Sequence, residues 1–226
     1  RDLRLQVGYN LRFLKTLQCF RENLINGVIG SVHSVQCEVG QYLPDWRPDV
    51  DYRQSVSAQR KFGGGVLLEL SHELDLLSWI FGDICSVSAW IGSQGSLETD
   101  VEDSAMLRLE FENKVRAQVM MDFIRRDPTR TCTAVGEKGT LRWDALRGLV
   151  EHFDPSANSW KEIIRRSLDR DESYSAQLRS FLHSIQAGTA SEIAAAGEEG
   201  FNVVKVIDAA RRSSAADGLR MMVRPL

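Results

Sequence analysis

The sequence predicts an α+β fold built on an open, largely antiparallel β-sheet with helices on one face. Apolar and polar residues alternate in several short segments between residues 84 and 164, which is the pattern of half-buried strands. Apolar residues recur at helical spacing near both ends of the chain. Most predicted strands are polar on one face, so helices are expected to cover the other face.

The first elements alternate between strand and helix. Leu3–Val7 alternates apolar and polar residues and predicts a short strand. Apolar residues then recur at helical spacing over Leu11–Asn26, and Asn26-Gly27 predicts the C-terminal end of this helix. A long strand is predicted over Ser31–Tyr42, followed by a proline-containing loop over Leu43–Ala58.

The segment between Gly63 and Asp83 predicts a helix around which the chain is organised. At ~3.6 residues per turn, one face of this helix is apolar and carries Leu67, Leu70, Leu74, Leu77 and Phe81. Its other faces carry Glu69, His72 and Asp75, and each carboxylate is one turn from the histidine. The glycines before it permit positive φ angles and predict a hinge beside a ligand site.

The second half predicts a meander of five to seven strands followed by two helices. The strand segments are Ile84–Ile91, Asp103–Phe111, Val115–Phe123, Thr131–Val135, Thr140–Trp143, Leu149–Phe153 and Trp160–Ile164. The two helical segments are Ser173–Ile185 and Ala194–Ser213.

The composition excludes several classes of function. A net charge of −3 gives no overall attraction to nucleic acid or anionic lipid, so neither is an expected partner. No apolar run approaches the ~20 residues of a membrane helix, and no signal-peptide pattern opens the chain. The four cysteines show no CxxC or framework spacing, which predicts reduced thiols and a cytoplasmic protein.

His72 is the candidate proton-transfer residue. Apolar neighbours and flanking carboxylates are expected to hold its pKa near neutrality, with Glu69 or Asp75 polarising the ring. The alternative interpretation is a core helix that contains a hydrogen-bonded histidine. HExxH is absent and no second histidine lies nearby, so no metal site is predicted.

The loop before the helix carries aromatic and arginine side chains that suit the walls of a pocket for a polar ligand. Arginine there is suited to a carboxylate or phosphate on the ligand. These residues are Trp46, Arg47, Tyr52 and Arg53. The alternative is a surface loop that its aromatic residues pin to the fold.

Two strings resemble the C-terminal domain of the Gfo/Idh/MocA family of NAD(P)-dependent sugar oxidoreductases. They are VGYNLRF at residues 7–13 and GQYLPDWRPDVDYRQSVSA followed by GGGVLLELSHELDLLSWIFGD. The resemblance covers essentially the whole chain. It implies that residues 1–10 are the remnant of, or junction to, a nucleotide-binding domain. Residues 11–226 would then form a substrate-binding and oligomerisation domain, and the chain would be part of a longer one.

The family resemblance also implies roles for individual residues. His72 would be the general acid/base at the oxidised sugar hydroxyl, while NAD or NADP would be bound mainly by the missing domain. Many members place an aspartate four residues before this histidine. Here that position is Leu68, and the nearest acid is Glu69. Tyr9 and Asn10 would face the cofactor, and the substrate contacts would be Arg12, Trp46, Arg47, Tyr52 and Arg53.

The expected ligand is a sugar or nucleotide sugar, and the open sheet face is expected to form a homo-oligomer. Two other functions stay open at this point. One is a non-catalytic sugar-binding or oligomerisation module that lacks a nucleotide-binding domain. The other is a metal-assisted lyase or hydrolase that uses Glu69, His72 and Asp75.

Overall fold

The computed structural model describes residues 3–167, 169 and 171–223. Its helices are α1 (Lys15–Ile25), α2 (Val66–Glu69), α3 (His72–Phe81), α4 (Glu172–Ala187) and α5 (Gly197–Ala215). Its strands are β1 (Val32–Gly40), β2 (Ile84–Gly92), β3 (Ser104–Phe111), β4 (Arg116–Asp122), β5 (Thr129–Gly136), β6 (Gly139–Asp144), β7 (Leu149–Asp154), β8 (Ser159–Arg165) and β9 (Met221–Met222). Short 3-10 helices include Asn10–Phe13 and Leu43–Trp46.

The strands form one nine-stranded sheet in the order β8-β7-β6-β5-β1-β4-β3-β2-β9. β1 and β4 run parallel, whereas the other neighbouring pairs among the described strands are antiparallel. This confirms the predicted α+β class with an open, largely antiparallel sheet. The predicted strands between residues 84 and 164 all form, with bounds within a few residues of the prediction.

The helices lie on one face of the sheet, and the core lies between them. α5 packs on β2 and α1 packs on β6 and β7. Along each central strand, alternate residues turn inward and are buried, as Val35, Cys37 and Val39 are in β1. The intervening residues of the same strands turn toward the open face, which explains their polar character.

The predicted strand over Leu3–Val7 is wrong. Only Val7 pairs there, in an isolated bridge with Ala195, and the side chains of Leu3 and Leu5 are exposed. Alternation in sequence makes a strand only where a partner strand is available to complete the hydrogen bonds.

The single helix predicted between Gly63 and Asp83 is instead two helices. Gly65 has a φ of 107°, and a Cβ there would lie 2.5 Å from an oxygen of Glu102, so the first helix starts only at Val66. Leu70 then leaves helical geometry, with φ −102° and ψ 22°, and α3 begins at His72. The break places His72 in the first turn of its own helix.

The helices of residues 3–167, 169 and 171–223 include none whose length and apolar content would let it span a bilayer.

Candidate active site

His72 stands at the entry to α3 with its ring partly accessible. The ring packs edge-to-face against the ring of Tyr9, with 5.4 Å between the centroids. Its Nδ1 atom is buried and has no hydrogen-bond partner among the described residues. This nitrogen is therefore a buried polar atom that the rest of the described structure does not satisfy.

The charge state of His72 differs from the sequence prediction. Burial and, to a lesser extent, the nearby positive charge of Arg130 together lower the pKa of His72 to about 4. The expectation of a pKa near neutrality is therefore wrong. The ring is neutral at physiological pH, which is the form that accepts a proton.

Asp75 does not polarise the histidine, because it is paired with Arg12. Arg12 Nε donates to Asp75 Oδ2 at 2.9 Å and Nη2 donates to Oδ1 at 2.6 Å, while Nη1 donates to Glu199 at 2.8 Å. The side chains of Arg12 and Asp75 are only 2% and 1% exposed. Burial raises the pKa of Asp75 to about 6, against the opposing effect of Arg12.

Glu69 is engaged elsewhere as well. Ser57 Oγ donates a hydrogen bond of 2.8 Å to its carboxylate. The separate partners of Glu69 and Asp75 follow from the break between α2 and α3, which turns the two carboxylates in different directions. Within residues 3–167, 169 and 171–223, no three His, Cys, Asp or Glu side chains are grouped to hold a metal ion. The metal-assisted alternative thus loses its ligand set.

An open cavity of about 640 Å³ lies in front of His72. Its walls come from the Asn10–Phe13 turn, the segment after β1, the junction of α2 and α3, the start of β5 and the start of α4. Trp46 forms a fixed wall because it packs edge-to-face on Phe123, with 5.3 Å between the ring centroids. The predicted site residues that line this cavity are Asn10, Trp46, Arg47, Glu69 and His72.

The other five predicted site residues do not line the cavity. Tyr9, Arg12 and Asp75 are buried behind it. The Tyr52 hydroxyl accepts a hydrogen bond from the backbone N–H of Glu98, and Arg53 pairs with Asp51 and Glu98. The predicted loop residues thus separate into a pair that reaches the cavity, Trp46 and Arg47, and a pair, Tyr52 and Arg53, that holds the loop to Glu98.

Residues that sequence reasoning missed complete the wall. Arg130 and Tyr174 line the cavity, as does Ser173, whose hydroxyl accepts a 2.9 Å hydrogen bond from the amide of Asn10. Arg130 is the second residue of β5, and no local sequence pattern marks it as a site residue. Its position at the cavity follows only from the pairing of β5 with β1. A signal did exist for Ser173, the first residue of the predicted helix Ser173–Ile185, but it indicated only a helix start.

Comparison with known proteins places the chain in a family. A family model described as "Oxidoreductase family, C-terminal alpha/beta domain" of the Gfo/Idh/MocA proteins matches residues 21–223. Myo-inositol 2-dehydrogenase from Thermotoga maritima is 25% identical over 225 residues, covering 94% of this chain. The chain spans 62% of the length of that relative.

Solved structures show the same fold. Levoglucosan dehydrogenase in complex with NADH and levoglucosan superposes with a TM-score of 0.87 at 17% identity, covering 100% of this chain and 68% of that one. The WlbA dehydrogenase from Bordetella pertussis, in complex with NADH and UDP-GlcNAcA, gives a TM-score of 0.73 at 22% identity, with 99% and 64% covered. The family match covers most of the sequence, and this chain therefore belongs to the Gfo/Idh/MocA oxidoreductase family as its C-terminal α/β domain.

Proposed function

We propose that this chain is the substrate-binding part of an NAD(P)-dependent dehydrogenase that oxidises a CH–OH group of a sugar or nucleotide sugar. Residues 1–10 form the junction to a nucleotide-binding domain, and residues 11–226 form the substrate and oligomerisation domain. The four cysteines are free thiols, which suits the cytosolic setting that belongs to this proposal.

One observation carries the proposal: a neutral imidazole lines a cavity large enough for a sugar. Cavities of roughly 300–1,000 Å³ are typical of small-molecule sites, and about 640 Å³ lies within that range. A hydroxyl that is oxidised must lose its proton, and a neutral histidine at hydrogen-bond distance accepts it.

The chain's own residues divide the remaining work. Trp46 and Asn10 give the cavity an aromatic wall and a polar wall, which orient a ring that carries hydroxyl groups. Glu69, at the junction of α2 and α3, accepts hydrogen bonds from ligand hydroxyls beside the one that it accepts from Ser57. The pair of Arg12 and Asp75 acts behind the wall and fixes α3, and hence His72, relative to the Asn10–Phe13 turn.

In the proposal the dinucleotide is bound mainly outside this chain. Tyr9 packs against His72, Asn10 is bonded to Ser173, and the sequence contains no GxGxxG. In the proposal the nicotinamide, which supplies a hydride acceptor when bound, is held by the nucleotide-binding domain. NAD and NADP both stay open as the cofactor, and the predicted contacts of Tyr9 and Asn10 with it stay predictions.

The proposal is tested on the gene product that includes the coding sequence upstream of residue 1. We expect an in-frame nucleotide-binding domain with a glycine-rich fingerprint and sugar-dependent reduction of NAD⁺ or NADP⁺ across a panel of polyols, sugars and nucleotide sugars. Absence of both would contradict the proposal. Sugar binding without any reduction of the cofactor would instead support the non-catalytic module.

The open face of the sheet supports a second part of the proposal, a homo-oligomer. Trp90, Met106 and Met120 are exposed and stand opposite one another on β2, β3 and β4, so they form an apolar row across the sheet. Replacing Met106 and Met120 together by lysine is expected to convert the oligomer to a monomer, because it places two charges in the interface. Light scattering after gel filtration measures the mass, and a wild-type monomer would contradict the proposal.

A further inference from the structure

A buried ion pair connects the helix of His72 with the start of β5. Arg130 Nε lies 2.7 Å from Glu73 Oε1, and the side chain of Glu73 is 0% exposed. Glu73 follows His72 directly in α3, so this pair brings Arg130 to the side of the imidazole. An ionised carboxylate without a partner is costly to bury, and Arg130 is therefore held firmly in this position.

The pairing leaves most of the guanidinium free. An arginine has five N–H donors in a planar fork, and the contact with Glu73 is made by Nε at ion-pair distance, without hydrogen-bond geometry. Within the described part of the chain, neither terminal nitrogen of Arg130 donates a hydrogen bond to another residue. The side chain is 25% exposed and lines the cavity in front of His72.

The other charges of the cavity do not occupy this fork. Asp45 and Asp169 are exposed at the rim, where water screens them, and Glu69 is bonded to Ser57. Arg47 is also exposed and lines the same cavity. A ligand anion inside the cavity thus meets an arginine that is paired with Glu73 and whose planar fork is able to make two parallel hydrogen bonds.

We propose that Arg130, positioned by Glu73, is an anion-binding site next to His72 and that the substrate is a sugar acid whose carboxylate it binds. The inference rests on the proposed function, because it assigns the substrate class of the same cavity. A carboxylate is favoured over a phosphate because its two oxygens match the planar fork of one guanidinium, whereas Glu73 already neutralises the single positive charge of Arg130 and leaves none to balance a doubly charged phosphate.

The test compares D-glucuronate with D-glucose as ligands of the 226-residue chain. Binding is followed through the ring resonance of His72 in NMR spectra, which is assigned by its loss in His72→Gln. We expect glucuronate to bind roughly ten- to a hundred-fold more tightly than glucose, the range of a charge-assisted bidentate contact. D-Glucose 6-phosphate is the third ligand and is expected to bind more weakly than glucuronate.

Arg130→Met is expected to abolish the preference for glucuronate, whereas Arg212→Met is expected to retain it. Arg212 is a matched control because it also pairs with a carboxylate, Asp208, but on the exposed surface of α5. If Arg130→Met unfolds because Glu73 is left unpaired, the double variant Arg130→Met/Glu73→Gln removes the buried charge and takes its place.

Equal binding of glucuronate and glucose would overturn the inference while leaving a carbohydrate site and the proposed function intact. Tighter binding of glucose 6-phosphate, a retained preference in Arg130→Met, or no response of His72 to any ligand would also overturn it. Glucuronate binding that depends on Arg130, without cofactor reduction by the longer gene product, would support the site and contradict the proposed function.

Discussion

Replacing Arg12 by methionine is expected to lower the free energy of unfolding by about 3–5 kcal/mol. The change leaves Asp75 buried without its two charge-assisted hydrogen bonds and removes one bond from Glu199. A domain of ordinary stability has only about 5–15 kcal/mol in total, so this single substitution brings the chain close to unfolding. Urea denaturation followed by circular dichroism measures the loss.

Two control variants make this result specific to the buried pair. Arg212→Met breaks an exposed pair with Asp208 and is expected to cost less than about 1 kcal/mol. Arg12→Met/Asp75→Leu removes both buried charges and is expected to recover part of the loss, because neither charge is then left unpaired. A cost for Arg12→Met no larger than that for Arg212→Met would show that the pair does not stabilise the fold.

The second large effect is on catalysis. In the enzyme that contains the nucleotide-binding domain, His72→Gln is expected to reduce kcat/KM by about 10²- to 10⁴-fold, the usual contribution of a positioned base. Cofactor affinity is expected to stay nearly unchanged, since the proposed function has the dinucleotide held mainly by the nucleotide-binding domain. Steady-state kinetics and a separate cofactor titration measure the two quantities.

The pH profile adds an independent reading of the same residue. Because the pKa of His72 is about 4, the imidazole is neutral above that value. It is therefore available as a base throughout the neutral range. The wild-type rate is therefore expected to decline only as the pH falls toward about 4, and His72→Gln removes this dependence. His183→Gln, a change on the exposed surface of α4, is the control. Near-normal turnover of His72→Gln would contradict the role of His72.

The local alternation of apolar and polar residues was sufficient to predict most strands of the sheet. Val115–Phe123 and Asp103–Phe111 alternate strictly and form β4 and β3, because one face of each strand is buried and the other is not. The same reasoning failed for Leu3–Val7, where the pattern exists without a partner strand. A periodic sequence reports which face would be buried, and only the assembled fold decides whether a neighbour is present.

The candidate site was less accessible to prediction. His72 and its loop neighbours Trp46 and Arg47 were found because polar groups within apolar or aromatic surroundings are a local signal. The partners of the carboxylates were not found, because Arg12 reaches Asp75 across 63 positions and Arg130 reaches Glu73 across the fold. Helical spacing alone predicted that Glu69 and Asp75 contact His72. The break in the helix after Glu69 instead turns both carboxylates toward other partners.

The parallel pairing of β1 with β4 also constrains how the chain folds. In the sheet, β1 lies between β4 and β5, which come about 80 to 100 residues later in the chain, so β1 must wait for its partners to be synthesised. Such distant contacts raise the contact order and slow the folding rate. Until then β1 has unpaired edges on both sides, and a nascent chain released early would expose them to aggregation.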